Sequence, residues 1–294
     1  MVTQNSYVAA LIGRGIKKSL SPELHEREGR RHRVRYLYRL QDMNPPHAEC
    51  GTYLADRLRK VQLLGFSGLN ITHPYKQLVM PHLDRLAPSA LRVGAVNTVV
   101  FTRDGTAVGH NTDVSGFAAA FARGLPGAAL GSVVQLGAGG AGAAVGHALF
   151  DLGVGRLSLT DPDLDRAVSL AKALNDHAGA AWARPCTASE AAERTMNADG
   201  LVNASPVGTE HDLRLPLTES ALHPRLWVAD VNYHPLPTPL LATADARGCT
   251  VLHGGGMLVH QAADAFRLFT GRDPSVPHML ADFAEMTAGI QAHT

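Results

Sequence analysis

The sequence predicts an α/β protein made of two domains. Short apolar runs alternate with helical patterns along the chain, which is typical of parallel sheets covered by helices. A glycine-rich loop at 137–142 follows one apolar run and opens a helical stretch, as in a Rossmann nucleotide-binding domain. The length of 294 residues leaves room for about two domains, because one domain commonly takes roughly 100–200 residues.

The first part of the chain contains strand and helix patterns in alternation. Ser21-Pro22-Glu23 is typical of a helix start, with a hydroxyl cap, proline at the first helical position and an acidic residue in the first turn. Asp104-Gly105 is the dipeptide of a tight hairpin between two apolar runs. The predicted strands are 7–13, 34–40, 66–71, 95–101 and 106–109, and a second helix is predicted at 50–64.

The second part of the chain begins near Val114 and continues the alternation. A helix is predicted from the glycine loop to about Leu152. The last helix is predicted at about Met257–Thr270, with Gly271 after its end. The predicted strands of this part are 132–136, 156–160, 200–204, 227–231 and 250–252.

Composition and charge exclude several classes of protein. Apolar residues make up 45% and charged residues 18%, which argues against a disordered or fibrous chain. The net charge of +1 provides no electrostatic footprint for nucleic acid or for an acidic membrane surface. Residues 124–150 carry no formal charge, but their many glycines and Pro126 argue against a membrane helix. We therefore expect a soluble protein with no nucleic-acid or membrane partner.

The cysteines and the amino terminus favour the cytoplasm. Cys50, Cys186 and Cys249 are odd in number and far apart, as expected in a reducing compartment. Residues 1–6 lack the basic and apolar segments of a signal peptide. The sequence contains neither HExxH nor a compact Cys/His set, so no metal site is expected. It also lacks the GxSxG turn of an acyl-transfer hydrolase.

The glycine loop has the spacing of a dinucleotide-binding turn. In this interpretation Gly137 allows a tight turn, Gly139 lets the pyrophosphate approach, and Gly142 lets the helix pack closely on the strand. Backbone N–H groups and the helix dipole would then meet the phosphates. The alternative is a packing turn in an α/β domain. The loop residues predicted to bind the cofactor are Gly137, Ala138, Gly139, Gly140, Ala141 and Gly142.

Asp161, at the end of the next strand, favours NAD over NADP. A carboxylate there can accept the ribose hydroxyls, whereas a 2′-phosphate would meet like charge, to which Asp163 adds. Pro162 offers no donor to a phosphate. Arg166 either stacks on the adenine or lies on a solvated helix face. The alternative for Asp161 is a helix cap.

Three polar segments follow strands in the first part of the chain, where α/β proteins place their sites. Ser19 and Ser21 lie beside a helix start and would form a cradle for a carboxylate, although Ser21 would equally serve as a plain helix cap. Lys76 and Asp113 follow two further strands. As a pair they would handle the proton of an alcohol that becomes a ketone, or form only a structural salt bridge.

Eight segments in sequence resemble the shikimate/quinate dehydrogenase family over nearly the whole chain. The matching segments are SLSPELH at 19–25, NITHPYK at 70–76, GAVNTV at 94–99, GHNTDVSGF at 109–117, GAGGAG at 137–142, NASPVGT at 203–209, DVNYHPLPTPLL at 230–241 and GGGMLVHQAADAF at 254–266. The resemblance implies a discontinuous α/β substrate domain, residues 1–113 completed by 253–294, with a Rossmann domain at 114–252 inserted.

The resemblance also implies roles for individual residues. Lys76 and Asp113 match the catalytic pair. Three groups match binding positions: for the substrate carboxylate, Ser19, Ser21 and Tyr233; for the ring hydroxyls, Thr72, Asn97 and Gln261; and for the cofactor beyond the glycine loop, Asp161, Arg166, Ser205, Val207, Gly254 and Met257.

The chain departs from the NADP-dependent biosynthetic branch of that family at one place. That branch carries Asn-Arg-Thr after the second Rossmann strand, where this chain has Asp161-Pro162-Asp163. The resemblance therefore implies NAD-dependent oxidation of shikimate or quinate at the ring 3-hydroxyl, as in quinate catabolism. The alternatives are an NADP-dependent biosynthetic enzyme, a dehydrogenase of an amino-substituted cyclohexane carboxylate, and a non-catalytic NAD-binding sensor. The oligomeric state stays open, a homodimer included.

Overall fold

A computed structural model describes residues 6–46 and 49–291, and the chain divides into two compact units. The first unit comprises residues 1–116 together with 258–294, and the second comprises residues 117–257. Within the described ranges, no helix is both long and apolar enough to span a bilayer. Residues 1–5 lie outside those ranges. The expectation that residues 1–6 are not part of a signal peptide falls largely on them.

The first unit is built on a mixed sheet in the order β2-β1-β3-β5-β6-β4. Its strands are β1 (Ser6–Gly13), β2 (Arg35–Asp42), β3 (Gly68–Ile71), β4 (Arg85–Leu86), β5 (Thr98–Phe101) and β6 (Ala107–His110). The helices connected to these strands are α1 (Ser21–Arg31), α2 (Cys50–Leu63), α3 (Pro88–Val93), α4 (Asp113–Gly124), α9 (Gly255–Thr270) and α10 (Val276–Gln291). Residues 117–124 of α4 belong to the second unit.

Strands β1, β3 and β6 all end at the same edge of this sheet. β1 pairs parallel with β3, whereas β5 is antiparallel to both β3 and β6. The two reversals cancel, so β6 runs in the same direction as β3. The loops that follow these three strands therefore begin at one edge, and they carry Ser19, Lys76 and Asp113.

The second unit contains a parallel sheet in the order β12-β11-β10-β7-β8-β9. Taken from β9, this is the 3-2-1-4-5-6 order of the Rossmann fold, as predicted. Its strands are β7 (Val133–Leu136), β8 (Leu157–Thr160), β9 (Ala183–Pro185), β10 (Gly200–Asn203), β11 (Trp227–Asp230) and β12 (Thr250–His253). The remaining helices are α5 (Gly140–Asp151), α6 (Leu164–Ala178), α7 (Ala188–Thr195) and α8 (Pro239–Ala246).

Apolar side chains pack against each of the two sheets. On one face of the first sheet, Ile12, Leu69 and Val99 pack with helix α2 through Leu54. In the second unit, Val134, Leu201 and Val228 pack with Leu241 of α8. The inner strands β3, β7, β10 and β11 are buried along their whole length, because neither of their faces meets water.

One local prediction is confirmed and two are wrong. The hairpin around Asp104-Gly105 forms, with β5 and β6 antiparallel. The three cysteines are free and buried. Ser21 is the first residue of α1 rather than its cap, because its N–H donates to the Ser19 hydroxyl and the cap position falls on Leu20. The helix that ends at Thr270 is not the last, since α10 follows and buries Met279 and Phe283.

Candidate active site

The ammonium group of Lys76 and the carboxylate of Asp113 form a close ion pair in the first unit. Lys76 Nζ lies 2.6 Å from Asp113 Oδ2, and the two side chains are 15% and 6% exposed. Main-chain hydrogen bonds hold the surrounding segments in register, because Val96 N donates to Lys76 O at 2.8 Å and Asn97 N donates to His110 O at 3.1 Å. The pair predicted from the sequence is therefore formed, shielded and still reachable from solvent.

Asn97 fixes the orientation of Asp113. Its Nδ2 donates to Asp113 Oδ1 and to Thr112 Oγ1, both at 2.9 Å. Its Oδ1 accepts from Thr112 N at 2.9 Å and from Thr98 Oγ1 at 3.0 Å. Asp113 is thus held through one oxygen by a neutral amide, while its other oxygen faces the lysine.

A buried chain of polar groups extends from Asn97 into the core of the unit. Asn70 Nδ2 donates to Thr98 Oγ1 at 3.0 Å, and Tyr38 OH donates to Asn70 Oδ1 at 2.8 Å. All of these side chains are almost fully buried. Asn97 is a site residue predicted from sequence, whereas Tyr38, Asn70 and Thr98 were missed, because a polar residue inside an apolar strand does not reveal its hydrogen-bond partners.

Ser19 and Ser21 present two hydroxyl groups at the amino end of α1. Ser19 Oγ donates to Ser21 Oγ at 3.2 Å. Since Leu20 occupies the cap position and no side chain caps this helix, the first-turn N–H groups of α1 add positive partial charge nearby. This arrangement is chemically suited to a carboxylate, and the plain-cap alternative for Ser21 is wrong.

Thr72 and Gln261 lie in the same unit as the ion pair. Thr72 follows β3, and its N–H donates to Ile12 O at 2.9 Å. Gln261 lies on α9, where its main-chain oxygen accepts from Thr112 Oγ1 at 3.2 Å and its Nε2 donates to Leu258 O. Tyr233 belongs to the second unit, where its ring lies 4.7 Å from that of His234.

The glycine loop of the second unit has room only for backbone at two of its positions, Gly137 and Gly142. Gly137 has φ +101°, and a Cβ atom there would lie within 2.8 Å of the main chain of Ala204 and Ser205. A Cβ on Gly142 would lie 2.2 Å from Gly137 O. No side chain caps α5, which begins at Gly140, so its first N–H groups remain available to an anion. These features fit a dinucleotide pyrophosphate.

Two side chains hold the glycine loop in place. Gln135, fully buried on β7, donates from Nε2 to Gly137 O at 3.0 Å and to Gly142 O at 2.8 Å. Asp161 accepts from Ala138 N through Oδ2 at 2.8 Å. Gln135 was missed from sequence, because a glutamine in an apolar strand does not reveal which carbonyls it reaches.

Asp161 does not cap a helix. Its Oδ1 accepts from Asp163 N at 3.0 Å, and Asp163 caps α6 by accepting from Asp165 N. The helix-cap alternative for Asp161 is therefore wrong. Each Asp161 oxygen has a further lone pair, so the carboxylate still has acceptor capacity for ribose hydroxyls. The exposed Arg166 guanidinium lies over the glycine loop, 3.7 Å from where a Gly139 Cβ would be.

The remaining predicted cofactor residues lie at the carboxyl ends of β10 and β12. Ser205 and Val207 belong to the loop after β10, where Ser205 Oγ donates to Asn203 Oδ1 at 2.7 Å. Gly254 follows β12, and a Cβ there would lie 2.1 Å from Val231 O. Met257 is buried in the first turn of α9. In residues 6–46 and 49–291, no group of three His, Cys, Asp or Glu side chains is arranged to hold a metal ion.

Two family models match the chain. Residues 11–99 match the shikimate dehydrogenase substrate binding domain. Residues 254–281 match the shikimate 5′-dehydrogenase C-terminal domain.

Relatives along the whole chain differ in the cofactor that their names state. A shikimate dehydrogenase (NADP(+)) of Streptomyces avermitilis is 56% identical, with 99% of each chain covered. A quinate/shikimate dehydrogenase (NAD(+)) of Corynebacterium efficiens is 44% identical, with 97% of this chain and all of the relative covered.

One solved structure combines close similarity of fold with a bound dinucleotide. Quinate dehydrogenase from Corynebacterium glutamicum in complex with NAD superposes with a TM-score of 0.86 at 43% identity, covering 95% of this chain and 99% of that chain. The α/β fold class with a Rossmann domain, predicted from sequence, is confirmed by this similarity.

Proposed function

This chain belongs to the shikimate dehydrogenase family, and from that premise we propose that it oxidises the ring 3-hydroxyl of shikimate or quinate, reversibly, with NAD. The products are the 3-dehydro ketone, NADH and a proton. The observation that carries the proposal is the 2.6 Å contact between Lys76 and Asp113, because this oxidation needs a group that stabilises the alcohol oxygen and removes its proton.

Lys76 and Asp113 divide the proton work between them. The Lys76 ammonium group donates a hydrogen bond to the 3-oxygen and stabilises the negative charge that develops there as the C3–H bond breaks. The hydroxyl proton passes to the pair, from which it is released to solvent. NAD, when bound, supplies the acceptor for the hydride at C4 of its nicotinamide ring. Asn97 keeps the Asp113 carboxylate aligned during the transfer.

The proposed substrates carry a carboxylate and several ring hydroxyl groups, and the site has side chains suited to each. Ser19 and Ser21 hold the ring carboxylate, helped by the positive end of α1. Thr72 and Gln261 would contact ring hydroxyls, whereas the Asn97 amide, already hydrogen-bonded to Asp113, Thr112 and Thr98, would act by orienting Asp113. Holding the ring in a reactive orientation can contribute about 7–11 kcal/mol to lowering the barrier.

NAD is the proposed cofactor because of the charges after β8. Asp161 and Asp163 would repel a 2′-phosphate, and Pro162 provides no N–H to bind one. Among the similar proteins, the Corynebacterium relative and the Corynebacterium glutamicum structure carry NAD in their names.

A second candidate is NADP-dependent oxidoreduction of shikimate. It is favoured by the Streptomyces avermitilis relative, whose name states NADP. Arg166, exposed beside the glycine loop, would then be the cation that offsets a 2′-phosphate.

A two-by-two steady-state assay tests both candidates. Shikimate and quinate are each oxidised with NAD and with NADP, and kcat/KM is compared across the four pairs. The proposal expects turnover with at least one of the two acids and a higher kcat/KM with NAD. A higher value with NADP selects the second candidate, and no turnover in any pair removes both.

A further inference from the structure

Asp230 is a buried carboxylate that no step of the proposed reaction uses. It is the last residue of β11 in the second unit and is only 2% exposed. No lysine or arginine among the described residues forms an ion pair with it; its partners are neutral donors. Burying a carboxylate without a cation costs free energy, and the hydrogen bonds that it accepts must offset that cost.

The donors to Asp230 come from the two loops that follow β10 and β11. Asn203 Nδ2 and Asn232 N donate to Oδ1 at 3.2 and 3.0 Å. Thr238 Oγ1 donates to Oδ2 at 2.8 Å, and the same hydroxyl accepts from Leu241 N at the start of α8. One carboxylate thus joins the end of β10, the loop after β11 and a helix terminus.

Asn203 transmits this anchoring to the loop at 203–208. Its Nδ2 also donates to Val207 O at 2.9 Å, and its Oδ1 accepts from Ser205 N at 3.1 Å. Asn232 Nδ2 donates to Ser205 O at 2.9 Å, which ties the same loop from the other side. Every one of these bonds fixes main chain in the segment to which we assign cofactor contacts.

We propose that Asp230 is a positioning residue that holds the 203–208 loop in its dinucleotide-binding conformation, an inference that rests on the proposed function. Because a carboxylate only accepts hydrogen bonds, it can align three donors at once. A protonated or amide group at this position brings its own hydrogens toward those donors and loosens the alignment. The loop and the cofactor that it contacts would then be held less tightly.

Protonation of Asp230 should make the affinity for NAD depend on pH. Burial raises the pKa of Asp230 from 3.8 to about 6. The elements around it carry other titratable groups: His253, paired in register with Asp230 on β12, and His234, Glu210 and Asp212 in the adjoining loops. Burial lowers the pKa of His253, and the Asp212 carboxylate is paired with Arg214, which lowers its pKa. Comparing the wild type with Asp230→Asn distinguishes the titration of Asp230 from that of these groups.

The test measures NAD dissociation constants by calorimetry from pH 5.5 to 8 for the wild type and Asp230→Asn. In the wild type, Kd is expected to rise about threefold between pH 8 and pH 5.5, because Asp230 is only partly protonated at pH 5.5. Asp230→Asn is expected to bind about tenfold more weakly at pH 8, with a Kd that no longer changes with pH.

Asp199→Asn is the matched control. Asp199 is also a partly buried carboxylate of this unit, and it accepts from Ser132 N at 2.8 Å. It precedes β10, at the opposite edge of the sheet from the 203–208 loop. The control is expected to keep the wild-type Kd and its pH dependence.

The thermal unfolding midpoint of Asp230→Asn checks that this variant folds, and Thr238→Val is a second variant. It keeps the side-chain shape and removes one donor that favours the ionised carboxylate, so the pH at which NAD affinity falls should move upward. Wild-type binding by Asp230→Asn at every pH would overturn this inference alone. Failure of the wild type to bind either NAD or NADP would overturn the proposed function and this inference together.

Discussion

Asn97 donates a hydrogen bond from Nδ2 to Oδ1 of Asp113 at 2.9 Å, on the opposite oxygen from the one that Lys76 contacts. The carboxylate is therefore fixed between a neutral donor and a charged one. A neutral donor orients a base without competing for its proton, whereas the charged partner can exchange one. Asn97 therefore orients the Asp113 carboxylate, and Lys76 is the partner with which it can exchange a proton.

Replacement of Lys76 by alanine should abolish most of the turnover. Loss of general acid–base catalysis usually costs 10²- to 10⁴-fold, and we expect kcat to fall within that range. NAD affinity should stay within about twofold of the wild type, because Lys76 and the glycine loop belong to different units. Steady-state kinetics and calorimetry measure the two effects. An unchanged kcat would remove Lys76 from the chemistry.

Tyr38→Phe should weaken both the fold and the reaction. The change leaves Asn70 Oδ1 without its hydroxyl donor inside the core, which commonly costs about 1–3 kcal/mol of unfolding free energy. Because the polar chain continues to Asn97, kcat should also fall several-fold. Urea unfolding and kcat measurements check the two effects.

Tyr36→Phe is the matched control for that prediction. Tyr36 lies two residues away on the same strand, and its buried hydroxyl has no hydrogen-bond partner. Its removal should leave kcat unchanged and should not lower the unfolding free energy. Equal losses in both variants would mean that the polar chain from Tyr38 has no special role.

Asp161→Asn should shift the enzyme toward NADP. Removing one negative charge near the 2′-position relieves a repulsion of about 1 kcal/mol, which corresponds to roughly fivefold in the ratio of kcat/KM for NADP to that for NAD. Activity with NAD should fall, because the ribose loses an anionic acceptor. The four-pair assay measures the ratio. A ratio that does not change would separate Asp161 from cofactor choice.

His25→Phe should make the protein more resistant to acid. His25 is 1% exposed, stacks on Tyr38 at 4.6 Å and has no hydrogen-bond partner on either ring nitrogen. Burial lowers its pKa from 6.5 to about 3. In the unfolded chain the ring takes up a proton below pH 6.5, whereas in the folded chain it does so only near pH 3.

The wild type should therefore lose stability as the pH falls from 6.5 toward 3, by up to about 1.4 kcal/mol per pH unit from this group. His25→Phe cannot be protonated, so its unfolding free energy should fall less over the same range. Urea unfolding at pH 7, 6 and 5 measures the slopes. Parallel slopes would show that His25 does not set the acid sensitivity.

Apolar runs and turn residues were enough to predict most of the framework. Strands such as β1 and β10 are continuous apolar runs, and Asp104-Gly105 marks its hairpin without ambiguity. Helix termini were less predictable. Ser21-Pro22 looks like a cap and a first turn, but the Ser19 hydroxyl accepts the Ser21 N–H and moves the helix start by one residue.

The sequence predicts those site residues that combine a reactive side chain with a position just after a strand. Lys76 and Asp113 follow strands that end at one edge, so the sequence pattern alone brings them near each other. Gln135 lies inside an apolar strand and Asp230 ends one, and the residues to which they hydrogen-bond lie in the irregular loops that follow these strands. No local pattern encodes such a contact.

The main-chain ladder that joins Lys76 to Val96 and Asn97 to His110 also has a stereochemical consequence. It aligns the segments that carry the amine and the acid, and the Asn97 side chain orients the acid, so the pair presents one preferred position to an alcohol. A polyhydroxylated ring then reacts only at the oxygen that it presents to this position. An epimer inverted at that carbon should still occupy the enzyme, as an inhibitor rather than as a substrate.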